Sequence, residues 1–163
     1  MKVLFFVLHV IYLTTGFQGS PTVIDSDEIR INGIGFNATR EQILKEFGNP
    51  IRIFQPNYEC GFLSTEEQGA VYYSIKYDFL VFTGNNAEGY LLEEALIAPT
   101  LKAKISYKGK GLSHNTTIKE FESIFETKVE GDSVLLFFKG ADDALDFTFK
   151  NGKLDKIEYW SPC

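Results

Sequence analysis

The chain has 163 residues, 16 basic and 22 acidic side chains, a formal net charge of −6 and 44% hydrophobic content. This is ordinary globular composition, which excludes wholesale disorder and fibrous architecture. An acidic balance without a basic cluster speaks against nucleic acid or an anionic membrane surface as partner.

Lys2 is the only charge before Asp25, and the residues from Val3 to Leu13 form a nearly continuous apolar run. About ten apolar residues fall short of the ~20 that a spanning helix needs. Residues 1–19 therefore read as a secretory signal peptide. Cleavage is expected after Gly16, with Thr14 and Gly16 at −3 and −1, or after Gly19. The expected location is outside the cytoplasm, periplasmic or secreted, with no stable membrane anchor. No cysteine follows the cleavage region, so a lipid anchor is not expected. Losing the leader removes Lys2 and His9, leaving 15 bases against 22 acids and a single histidine, His114.

Ile29 to Phe36 alternates like a strand and carries a Gly33-Ile34-Gly35 turn. Asn37 and Thr39 then suit a helix cap, Arg40 to Phe47 has helical apolar spacing, and Gly48-Asn49-Pro50 stops it. The stretch from Val71 to Phe82 reads as one long strand. Its odd positions, Tyr73, Tyr77 and Phe79 among them, are assigned to the helix-packed core, and Tyr72 and Phe82 to the opposite face. Gly84 to Gly89 turns into a strand from Tyr90 to Ile97, and Pro99-Thr100 marks a join.

Beyond the join the pattern recurs. Ile29, Ile31, Gly33, Gly35 and Phe36 match Ile105, Tyr107, Gly109, Gly111 and Leu112 in kind at an offset of 76. Thr39, Ile43 and Phe47 match Thr117, Phe121 and Phe125 at an offset of 78. The second helix is expected over Ile118 to Phe125. Alternation then places Phe138, Phe147 and Phe149 in the core, with Phe137 and Trp160 opposite, and Asn151-Gly152 is a hairpin turn. The fold class expected is α+β: two tandem strand–helix–strand–strand–strand repeats, over 20–99 and 100–163, with an antiparallel sheet carrying helices on one face.

Cys60 and Cys163 form an even pair in an exported chain and so a candidate disulfide. The bond would close a loop of about 100 residues, worth roughly 4–5 kcal/mol in the chain-entropy model. Two separate thiols are the other reading.

The stretch Asn37-Ala38-Thr39-Arg40-Glu41-Gln42-Ile43-Leu44-Lys45-Glu46-Phe47-Gly48-Asn49-Pro50, following a Gly-x-Gly turn and preceding antiparallel strands, resembles small bacterial envelope domains. These are the β-lactamase inhibitor protein and the SmpA/OmlA-type outer-membrane assembly lipoproteins. The resemblance covers roughly residues 28 to 160 and implies a saddle of two units whose sheet grips a partner protein. The second unit departs from the motif, with Phe125-Glu126-Thr127-Lys128 where the Gly-x-Pro stop would fall.

Chemistry-bearing constellations are sparse. The runs Asp25/Asp27/Glu28, Glu66-Glu67, Glu93-Glu94 and Asp142-Asp143 lack the alternating ligands and glycine pivot of a calcium loop. Ser113, Asn115, Thr116 and Thr117 around His114 suit helix capping better than nucleophilic catalysis. The triplets Asn37-Ala38-Thr39 and Asn115-Thr116-Thr117 fit the glycosylation pattern and fall where caps are expected. No catalytic residue, metal or cofactor is expected. The expected function is non-enzymatic binding of another protein, with Tyr72, Phe82, Phe137 and Trp160 as anchors on an open sheet face. In the bland alternative, loops such as 55–70 cover both faces. The rival function is a small-ligand binder or hydrolase with carboxylates in a groove between the repeats.

Overall fold

A computed structural model describes residues 22–56 and 71–162. The signal-peptide expectation and the Cys60–Cys163 pair lie outside the described residues. In chain order the elements are β1 (Val23–Ile24), a 3-10 turn (Ser26–Glu28), β2 (Ile29–Ile31), β3 (Ile34–Gly35), β4 (Asn37–Ala38) and α1 (Arg40–Phe47). The strands β5 (Arg52–Phe54), β6 (Tyr73–Lys76), β7 (Leu80–Asn85) and β8 (Gly89–Leu96) follow. The rest are β9 (Ile105–Tyr107), β10 (Lys110–Leu112), α2 (Ile118–Phe125), β11 (Ser133–Phe138), β12 (Ala144–Lys150) and β13 (Lys153–Trp160).

The strands make two sheets. The large one has nine strands in the order β1-β11-β12-β13-β8-β7-β6-β5, with β4 also pairing to β8, and the small one runs β10-β9-β2-β3. Since β1 joins β11 in parallel while its other pairings are antiparallel, the large sheet is mixed.

This overturns the α+β expectation. The described chain is mostly β, and two eight-residue helices do not make a layer over the sheet. The reason is one of dimensions. Each helix is about 12 Å long at 1.5 Å per residue, whereas eight strands side by side at ~4.8 Å spacing extend over more than 30 Å. The strand expected to begin each repeat is instead a short hairpin, β2–β3 and β9–β10, and the two hairpins leave the large sheet and pair with each other. There Ile29 lies opposite Tyr107 and Ile31 opposite Ile105. All four are buried and join the same core as the helices.

Local chemistry explains the helices that do form. The Thr39 and Thr117 hydroxyls accept from the backbone N–H of Gln42 (3.2 Å) and Glu120 (3.3 Å). The Gln42 and Glu120 side chains accept in return from the N–H of Thr39 and Thr117, each at 2.8 Å. Such capping boxes satisfy backbone donors that a first turn otherwise leaves unpaired. The core is aromatic around α2: Phe121 lies 4.8 Å from Phe147 and 5.1 Å from Phe149, while Phe125 stacks on Tyr107 at 4.7 Å. Under α1, Phe47 meets Phe82 at 5.5 Å.

The single long strand expected from Val71 to Phe82 is instead the hairpin β6–β7. Tyr77 N–H donates to Leu80 O at 2.8 Å across a turn containing Asp78, a residue whose side chain favours turns. The turn resets the alternation, so Ile75 and Phe82 are direct cross-strand partners facing the core. Tyr73, expected in the core, is 40% exposed at the hairpin end.

Candidate functional site

The side of the large sheet turned away from the helices follows from the register. Val81 faces Glu94, Glu94 faces Glu158, Glu158 faces Asp146, and Asp146 faces Leu135. Val81 faces Lys76 on its other side and Lys76 faces Arg52, so one row crosses seven strands, with three carboxylates side by side on β8, β13 and β12 and two cations on β6 and β5. The next row sets Ser133, Thr148, Lys156 and Leu96 opposite one another. A third aligns Phe137 with Ala144 and Trp160. Leu96, Leu135 and Trp160 are 40%, 37% and 39% exposed, so an acidic row lies between apolar groups that remain in contact with water.

The acidic row sits uneasily. Like charges directly opposite on neighbouring strands repel. Only Lys156 answers them in the neighbouring row, with Nζ 2.6 Å from Glu158 Oε2. That hydrogen bond raises the Lys156 pKa. Asp146 Oδ1 is buried and accepts no hydrogen bond among the described residues. Desolvation first, and then the Glu158 charge, raise the Asp146 carboxyl above its ordinary range. At the β7/β8 bulge the adjacent Glu93 accepts from the Thr83 hydroxyl.

The four expected anchors part company here. Phe137 and Trp160 come together, ring centroids 6.0 Å apart and nearly perpendicular, on the face expected for them. Tyr72 is half-buried in a polar knot at the β7–β8 turn, where its hydroxyl donates to the Glu88 carboxylate. Burial and that carboxylate push the phenol up to about 12. Asn85 Nδ2 donates to the same carboxylate at 3.1 Å, and Asn85 Oδ1 accepts from the N–H of Ala87 and Glu88. Phe82 is fully buried beneath α1 and is no anchor at all, because the Tyr77–Phe79 turn moved it to the core side.

The face is also not bare along its whole width. Ser74 and Thr83, on its β6–β7 part, are buried and hydrogen-bonded to each other at 2.7 Å. Leu96, Trp160 and Leu135 are exposed over β8, β13 and β11, and Val23 on β1, Lys76 on β6 and Arg52 on β5 are exposed on the same face. Leu96 and Leu135 were not singled out from the sequence, and Glu94 appears there only as part of the Glu93-Glu94 run set aside as a calcium loop. The shift from apolar Tyr90 and Leu92 to apolar Ala95 and Ile97 across Glu93-Glu94 is the readable mark of the bulge that places them.

Elsewhere the surface offers clefts of about 530, 330 and 330 Å³. Each has one carboxylate in its lining, Glu120, Glu126 and Asp78 respectively, and Glu120 is engaged in capping α2. The described residues hold no group of three or more His, Cys, Asp and Glu arranged for a metal ion, and no helix long and apolar enough to cross a membrane. Set against known proteins, the chain matches no family model, no curated protein and no solved structure.

Proposed function

We propose that the chain is a non-enzymatic module that binds another protein through the β8-β13-β12-β11 part of its large sheet. The observation that carries this reading is the convergence of Leu96, Leu135 and Trp160, each more than a third exposed, around one charged row. Large side chains left in water on a rigid strand platform lose little conformational freedom on binding and exclude water from polar neighbours. Anchors of this kind, with polar groups between them, characterise protein interfaces. If residues 1–19 are a signal peptide, as their sequence suggests, the interaction takes place outside the cytoplasm, periplasmic or secreted. Inhibitor, immunity factor and envelope-assembly accessory are the roles that the resemblance to envelope domains suggests.

Crosslinking capture from the native cells, with the unaltered chain and with the double variant Leu135→Ala/Trp160→Ala, tests this. The expected result is a partner captured by the former and lost with the latter, with melting temperature changed by no more than a few degrees. Capture that survives both substitutions, or variants that unfold, would overturn it.

A further inference from the structure

The charges of the long row are segregated rather than mixed. From β5 to β12 it reads Arg52, Lys76, Val81, Glu94, Glu158 and Asp146, cations at one end and carboxylates at the other. Like charges therefore stand directly opposite one another on neighbouring strands in both halves, which opposes strand pairing at both ends of the row. Arg52 and Lys76 are exposed, and among the described residues neither is ion-paired to a carboxylate. Of the three carboxylates only Glu158 meets a cation, Lys156. Local arrangements that weaken a fold without a compensating gain concentrate at functional sites.

We infer that the protein seated on this face is a second copy of the chain, docked about a two-fold axis that runs parallel to the strands between β7 and β8. The inference rests on the protein-binding reading above and names the partner. A half-turn about that axis reverses the order of the row. Arg52 of one copy then stands opposite Asp146 of the other, Lys76 opposite Glu158 and Val81 opposite Glu94, and each contact occurs twice, as a two-fold interface requires. Every cation of the row meets a carboxylate and no like pair forms. Sheet twist does not spoil the fit, because a half-turn about a line along one strand carries a uniformly twisted surface onto itself with its sides exchanged. Facing sheets pack ~10 Å apart, a gap that a Lys or Arg stem and the carboxylate opposite it can span. Leu96 and Leu135, exposed beside the row, exclude water from the paired charges and so strengthen their attraction.

A basic partner would match only the carboxylate half of the row, and an acidic one only the cation half. The net charge of −6 sets two copies against each other at long range. Salt screens that repulsion beyond ~10 Å at 0.1 M ionic strength, whereas the paired charges of the two rows are in contact.

Sedimentation velocity over a micromolar concentration series tests the proposal, with the unaltered protein expected to pass from monomer to dimer. Lys76→Glu and Glu158→Lys each set like charges together at two places in the symmetric contact, so each should weaken the dimer about tenfold or more. Both reversals relieve a like-charge neighbour within the chain, which favours folding. An equimolar mixture of the two variants should restore the dimer, because the reversed positions then face each other with opposite signs. A dimer that ignores both reversals, or a mixture that fails to restore it, would overturn the proposal. If either variant fails to fold, concentration-dependent amide shifts in the unaltered protein locate the contact; shifts that spare Lys76, Glu158 and Leu135 would overturn it. A chain that stays monomeric throughout would also overturn it and leave the face to a different protein. Failure of the underlying reading shows separately, as partner capture that survives Leu135→Ala/Trp160→Ala.

Discussion

At the scale of single residues, Asp146 is where the fold and the surface pull in different directions. Its carboxyl is raised by desolvation and by Glu158, so the folded protein holds this proton more readily than the unfolded chain does. Stability from this group is therefore greatest in acid and declines as pH climbs from the ordinary carboxylate range through the raised value. Asp146→Asn removes the charge and gives Glu158 an amide donor. By removing the charge that faces Glu158 it should raise stability at pH 7 by up to about 1 kcal/mol, the upper end of a cross-strand charge pair, and the gain should vanish below the ordinary carboxylate range. Thermal melts of both proteins at pH 7 and pH 3 check this; equal shifts at the two values would refute the electrostatic account.

At the scale of elements, both helices end in a left-handed residue with unequal comfort. Gly48 has φ 75° and ψ −149°, a region open essentially to glycine alone. In α2 the corresponding residue is Glu126, at φ 54° and ψ 43°, with its N–H donating to Glu122 O. A side chain with a Cβ pays roughly 1 kcal/mol for that conformation. Glu126→Gly should therefore raise the urea midpoint by an amount equivalent to about 1 kcal/mol with the slope unchanged; a lower midpoint would show that Glu126 contributes more than its backbone costs. Caps and helices were legible in the sequence because their signals are local, Thr39 with Gln42 and Thr117 with Glu120. The same holds for the hairpin turn at Asn151-Gly152, where both φ values are positive. Register was not. Alternation through Ser133 to Phe138 puts Phe137 on the correct face, whereas one unseen turn at Asp78 moved Phe82 from the surface to the core, and a bulge beside Glu93 brought Glu94 into the row. For that reason Phe137 and Trp160 lie on the face expected for them and Phe82 does not: period-2 reasoning holds only while the strand continues.

At the scale of the whole molecule, the division at Pro99-Thr100 separates stretches of chain that cannot be energetically separate. Three pairs hold β8 to β13: Glu94 with Glu158, Ala95 with Ile157, and Leu96 with Lys156. Ile97 N–H donates to Asp155 O, and Asn32 N–H to Lys104 O, across the same division. Phe36 packs against Phe138 at 5.2 Å, and β2 finds its partner in β9. Cutting the chain there would expose two sheet edges and both sides of a shared core at once, and pieces of 60 to 80 residues have little burial to spare. The mixed sheet and the small sheet were hidden from sequence because each depends on pairing between distant strands, such as Val23 with Phe137 across more than a hundred residues. The expected consequence is cooperativity. The intact chain should unfold in one transition seen alike by far-UV circular dichroism and by Trp160 fluorescence. Fragments 20–99 and 100–163 made separately should lack dispersed amide spectra and regain them on mixing. A dispersed spectrum from either fragment alone would show two autonomous units. The proposed binding face, which takes Leu96 and Glu94 from one fragment and Trp160, Glu158 and Asp146 from the other, would then lose the rigid seam on which its geometry depends.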